Sequence, residues 1–259
     1  MKLLLSSILT VCFFVGEVSA HKLYTKPVEF EVAGHRAFVL KAEKPAKGMP
    51  WVWYAPTLPR HPDRSHTWYI KQLLEKGVSV AGCDLGEVRG SPRSIAKFTQ
   101  FYEEMVKRSF SKKPILLGQS RGGLMMLTWA MNNPQKVAAF AGIFPVCNLK
   151  SWPIVSNRSA TLKDYNMSLE KLTTELKKYN PIDNLQGLAK NLVPMFFVHG
   201  DSDRVVPLKD NSAIVEARYR QLGGLVKVKV VPGKGHAVLD EFFKCQEMID
   251  FLLAPKSLK

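Results

Sequence analysis

A serine hydroxyl becomes a useful nucleophile only when a base takes its proton and an acid orients that base. Three residues of this chain could form such a set. The segment KPILLGQSRGGL, residues 113–124, places Ser120 in a G-x-S-x-G pattern. Residues 114–117 read as a short buried strand and the apolar run 124–131 as a packed helix, the strand–turn–helix context that the pattern requires. So sharp a reversal forces the central residue into strained backbone. Glycines at −2 and +2 let strand and helix pack closely, and the hydroxyl is lifted clear at the positive end of the helix. An acid and then a histidine are expected just past later strand ends. Asp203 follows the apolar run 193–198, and His236 follows 226–231. Asp201 is the local alternative for the acid, unless it caps the turn. The loop after the strand at 137–146 begins Cys147-Asn148 and offers no carboxylate.

Charge developing on a carbonyl oxygen needs two N–H donors already in place. One is expected from the amide of Arg121, immediately after the serine. The other is expected from the loop after 51–55. Pro56 has no N–H, which favours Thr57 and leaves Tyr54 or Ala55 as alternatives. The Arg121 side chain either binds a substrate carboxylate or makes a structural ion pair with Asp84 or Glu87. Trp152 and Tyr165 either line a substrate pocket or pack beneath a lid. His199 ends a strand and reads as turn-stabilising.

The elements that must position these residues alternate along the chain. Residues 27–42 read as a hairpin turning at Ala33-Gly34-His35, and 50–55, 78–83, 137–146, 193–198 and 226–231 as further strands. Helices are expected at 67–74, 94–110, 211–222 and 239–253. This rhythm predicts an α/β fold, a mostly parallel sheet with helices on both faces, whose sites lie at the carboxyl ends of the strands. Residues 148–187 break the rhythm and hold one amphipathic helix, 169–178. They read as a lid-like excursion within a single domain, 21–259.

Residues 1–20 combine Lys2, an apolar run 3–15 and Val18-Ser19-Ala20, the pattern of a secretory signal cut after Ala20. The chain is therefore expected to be secreted or periplasmic, without stable membrane insertion, since that run is too short to span a bilayer. In an oxidising compartment Cys83, Cys147 and Cys245 permit one disulfide and one spare thiol, or none. No Cys/His cluster suggests a structural metal. The net charge of +15 favours association with an anionic surface, whether acidic polysaccharide, nucleic acid or anionic lipid, or else reflects solvated helix faces alone. Nucleic acid is not expected, because no basic run alternates with aromatics.

Gly118-Gln-Ser-Arg-Gly122, then HGDSDRVVP over 199–207, then Gly233-Lys-Gly-His236, together resemble the α/β-hydrolase superfamily. They are most similar to its single-domain, prolyl-oligopeptidase-like and dienelactone-hydrolase-like serine hydrolases. The resemblance covers about residues 27–253. It implies Ser120 as nucleophile, His236 as general base and acid, and Asp203 as the triad acid, with no metal or organic cofactor. Where relatives often place His-Gly after the first apolar strand, this chain has Ala55-Pro56. The expected reaction is hydrolysis of an ester, possibly a carbohydrate ester, through an acyl-enzyme. The preference for an ester rests on the missing propeller domain through which large oligopeptidases admit peptides. An exported aminopeptidase or dipeptidase is the alternative, and a non-catalytic binding module on this scaffold is a second.

Overall fold

Strands covered on both faces read as near-continuous apolar runs, and five segments of this chain do so, the fifth being MFFVHG at 195–200. WVWYA, SVAGC, ILLGQ and AFAGI are buried at every position and form β3 (Trp51–Ala55), β4 (Ser79–Cys83), β5 (Ile115–Gln119) and β6 (Ala139–Ile143). The computed structural model describes residues 26–59 and 61–255. The proposed signal, residues 1–20, lies outside them.

The sheet has eight strands in the order β1-β2-β4-β3-β5-β6-β7-β8, where β1 is Val28–Val32, β2 His35–Leu40, β7 Met195–Gly200 and β8 Val226–Val231. Strands β3 to β8 are all parallel, and the β1–β2 hairpin adds antiparallel to β4. Alternation along each strand divides the core in two. Trp51, Trp53, Leu116, Phe140 and Phe197 face α2 (Pro92–Lys107), α3 (Arg121–Asn132) and α8 (Ser212–Gln221). Val52, Tyr54, Leu117, Phe196 and Val198 face α1 (Thr67–Glu75) and α10 (Gln246–Leu253).

The excursion carries four short helices, α4 (Arg158–Tyr165), α5 (Leu169–Thr174), α6 (Leu176–Tyr179) and α7 (Gln186–Lys190). The helix expected at 169–178 is thus divided at Glu175, whose ψ of 9° leaves the helical region. The excursion packs on the sheet through its own apolar cluster, which joins Leu149, Trp152, Tyr165 and Leu172 to Leu124, Val146 and Val206. The helix expected at 239–253 is also divided, into α9 (Asp240–Phe243) and α10, with Cys245 extended between them. The break lets Phe242 and Phe243 reach Phe144 and lets Phe243 reach His66, while Met248, Ile249 and Leu252 stay under the sheet.

Candidate active site

Ser120 sits between β5 and α3 at φ 49°, ψ −122°, backbone that L side chains adopt only where the surroundings impose it. Its N–H donates to the Ile143 carbonyl at 2.9 Å, and its own carbonyl accepts from Val146 N–H at 2.8 Å. Both bonds tie the turn to the end of β6. The glycines explain the motif sterically. A Cβ at Gly122 would stand 2.0 Å from the Ala55 carbonyl oxygen, and one at Gly118 would stand 2.6 Å from Cα of Gly123.

Gln119, the residue before the serine, is held from below by a buried network. Tyr54 O–H donates to Gln119 Oε1 at 2.8 Å. His66 bridges to the loop before α1: its Nδ1 lies 2.9 Å from Asp63 Oδ1 and 3.1 Å from the Asp63 amide, and its Nε2 lies 2.7 Å from Gln119 Oε1 and 2.8 Å from the Tyr54 hydroxyl. Tyr54 and His66 carry no motif, so this support was invisible in the sequence.

The three separated residues converge. Ser120 Oγ lies 2.8 Å from His236 Nε2, and His236 Nδ1 lies 2.7 Å from Asp203 Oδ2. A carboxylate only accepts, so Nδ1 carries the proton and Nε2 offers its lone pair to the serine hydroxyl. Asp203 Oδ1 accepts from the amides of Val205 and Val206 at 2.9 and 2.8 Å. Burial pushes this carboxyl up. The hydrogen bonds from His199, His236 and Val206 outweigh burial and hold it well below the usual carboxylate range.

The neighbours of this relay fix its geometry. Asp201 Oδ1 accepts from the Gly233 amide at 2.7 Å and so ties down the loop that carries His236. Gly200 allows the approach, since a Cβ there would stand 2.0 Å from the Lys234 carbonyl oxygen. His199 is fully buried. Its Nε2–H donates to the Val206 carbonyl at 2.8 Å and stands 3.4 Å from Asp203 Oδ2, while Nδ1 accepts from the Ser212 hydroxyl at 2.8 Å. Phe144, at φ 35°, places its ring 4.4 Å from the His236 imidazole. Only its position after a strand could have suggested it.

A cavity of about 150 Å³ opens on Ser120 and His236, walled by Pro56, Leu58, His61, Phe144 and Val238, with Arg121 at its edge. Burial, with His66 nearby, lowers the pKa of His61. The Arg121 guanidinium pairs with Glu87, one of the two partners expected for it. The Arg121 amide opens α3 and so has no acceptor within its helix. Thr57 is buried, and its hydroxyl donates to the Tyr54 carbonyl at 3.2 Å. Its side chain therefore points away from the serine cavity. Trp152 and Tyr165 lie elsewhere. Both are buried in the cluster under the excursion, and the Tyr165 hydroxyl donates to the carbonyls of Arg89 and Gly90. Neither lines the cavity.

Residues 92–254 match the model of the prolyl oligopeptidase family. No curated protein matches the chain by sequence. Solved structures with the same fold include an acylaminoacyl peptidase of Pyrococcus horikoshii, at 13% identity and a TM-score of 0.68 over 88% of this chain and 42% of that one. A puromycin-hydrolyzing peptidase of Mycobacterium tuberculosis superposes at 16% identity and 0.66, over 92% and 40%. Est1E of Butyrivibrio proteoclasticus superposes at 15% identity and 0.64, over 90% of this chain and 99% of that one. The chain thus spans about two fifths of each peptidase and nearly all of Est1E. At these identities the likeness shows the fold, the α/β-hydrolase fold.

Proposed function

The chain belongs to the prolyl oligopeptidase family of serine hydrolases, and on that premise we propose that it cleaves a small, uncharged ester by acyl transfer at Ser120. One observation carries this reading: the unbroken line from Ser120 Oγ through His236 to Asp203, at 2.8 and 2.7 Å. In the proposed reaction His236 Nε2 takes the hydroxyl proton as Oγ attacks the carbonyl, then returns it to the leaving alcohol. Water, deprotonated by the same nitrogen, cleaves the acyl-enzyme. Asp203 holds the Nδ1–H tautomer and stabilises the imidazolium. The amides of Arg121 and Thr57 serve as oxyanion donors.

The preference for an ester rests on the cavity. Its volume of about 150 Å³ and its wall of Pro56, Leu58, Phe144 and Val238 suit a short acyl group. The nearest cation, Arg121, is already neutralised by Glu87. The family name favours the alternative, a peptidase. Export, proposed from residues 1–20, agrees with a carbohydrate ester as substrate. A panel of acetylated sugars, uronate esters and aminoacyl anilides, run with Ser120→Ala as control, tests the reading. Turnover of neutral acetyl esters well above anilides supports it, and the reverse order makes the chain a peptidase.

A further inference from the structure

The sheet has a second working end. Because β3 to β8 are parallel, the loops that precede them meet at the end opposite Ser120. At about 4.8 Å per strand spacing, those six strands span roughly 24 Å. The six loops, residues 41–50, 76–78, 108–114, 133–138, 190–194 and 222–225, contain nine Lys and Arg against a single acid, Glu43. Arg108 pairs with Glu104, and Lys136 lies over the Tyr102 ring. Six more, Lys44, Lys47, Lys76, Lys112, Lys113 and Lys190, are exposed and join none of the ion pairs among the described residues. The serine end mixes its charges, with Asp84, Glu87, Asp201 and Asp203 beside Arg89, Lys150, Arg204 and Lys234 in its loops.

The same end also presents apolar side chains. Leu192, just before β7, is 79% exposed at φ 55°, so the backbone holds a large aliphatic side chain outward in a conformation that disfavours one. Leu222 and Leu225, just before β8, are 41% and 39% exposed. Between the lysine loops runs a groove of about 530 Å³, lined by Ala46, Pro50, Lys76, Lys113, Leu252 and Pro255.

We propose that this end docks on an anionic phospholipid surface, with the lysines over the headgroups, Leu192, Leu222 and Leu225 at the acyl boundary, and the serine cavity facing away into solution. Charge complementarity selects an anionic partner, and outward leucines beside the lysines select a bilayer over a soluble polyanion, which has no apolar layer to receive them. Docking of this kind is peripheral. No helix among the described residues is long and apolar enough to cross a membrane.

The test is flotation of the protein with vesicles of phosphatidylcholine mixed with phosphatidylglycerol, against pure phosphatidylcholine vesicles and soluble heparin. Each lysine near such a surface is worth about fivefold in affinity, so Lys112→Glu with Lys113→Glu is expected to weaken vesicle binding by about twentyfold or more. Leu192→Ser is expected to weaken vesicle binding and leave heparin binding and hydrolysis of a soluble ester unchanged. Three results would overturn the proposal: no preference for the anionic vesicles, vesicle binding indifferent to Leu192→Ser, or binding to heparin alone, which would make the face a polyanion site. Because these readouts do not depend on turnover, they stand or fall apart from the assignment of Ser120.

Discussion

Four donors converge on the Asp203 carboxylate: the amides of Val205 and Val206, and the imidazoles of His236 and His199. Folding therefore lowers this carboxyl below its ordinary value of 3.8, and the folded chain binds its proton more weakly than the unfolded chain. The linked stability is complete above that value and is lost as pH falls below it. Thermal melts should thus show stability falling steeply below about pH 4, with a shallower slope in Asp203→Asn. In the proposed relay the same substitution lowers kcat by about 10⁴, because the wrong tautomer faces the serine. Arg121 gives a contrasting prediction. Its side chain is 43% exposed, so Arg121→Met should change stability by less than about 1 kcal/mol. Glu87→Gln releases the guanidinium, and the ratio of kcat/KM for uronate over neutral esters should rise. An unchanged ratio would mean that Arg121 does not face the acyl group.

The elements hold these side chains through contacts that admit only glycine. At Gly200 an added Cβ meets the Lys234 backbone at 2.0 Å, so Gly200→Ala must push β7 away from the loop carrying His236. The expected loss is about 1–3 kcal/mol with a larger fall in kcat than in substrate affinity, read by melting and steady-state kinetics. Much of this scale was legible in the sequence. Strand–helix alternation placed the eight strands, and the two glycines around Ser120 marked the turn. What escaped was set by partners distant along the chain. The division of 239–253 follows from Phe242 and Phe243 reaching Phe144 and His66, and α4 carries no apolar periodicity to announce it. HGDSD sets two acids side by side, and in the sequence the resemblance favoured Asp203. Only the fold shows Asp201 bonded to the Gly233 amide and Asp203 against the imidazole.

At the scale of the whole molecule, the three described cysteines are buried and unpaired. Burial, with Asp84 beside it, pushes the Cys83 thiol up to about 12, and burial raises Cys147 and Cys245 as well. Such thiols are inert small hydrophobes. Adding reductant should leave the melting temperature unchanged, and a drop would reveal a disulfide. The excess of lysine, too diffuse in the sequence to choose among anionic partners, is gathered by the parallel sheet at one end, whose loops carry a single acid, Glu43. That sorting depends on strand direction, which the sequence does not state residue by residue.

The central claim is that Ser120 is the nucleophile, and reaction of the intact protein with a fluorophosphonate, mapped by mass spectrometry, tests it most directly. A single adduct on the Ser120 peptide is expected, absent from Ser120→Ala and slowed by several orders of magnitude in His236→Ala. No adduct at all, or an adduct elsewhere with ester turnover intact in Ser120→Ala, would contradict the assignment.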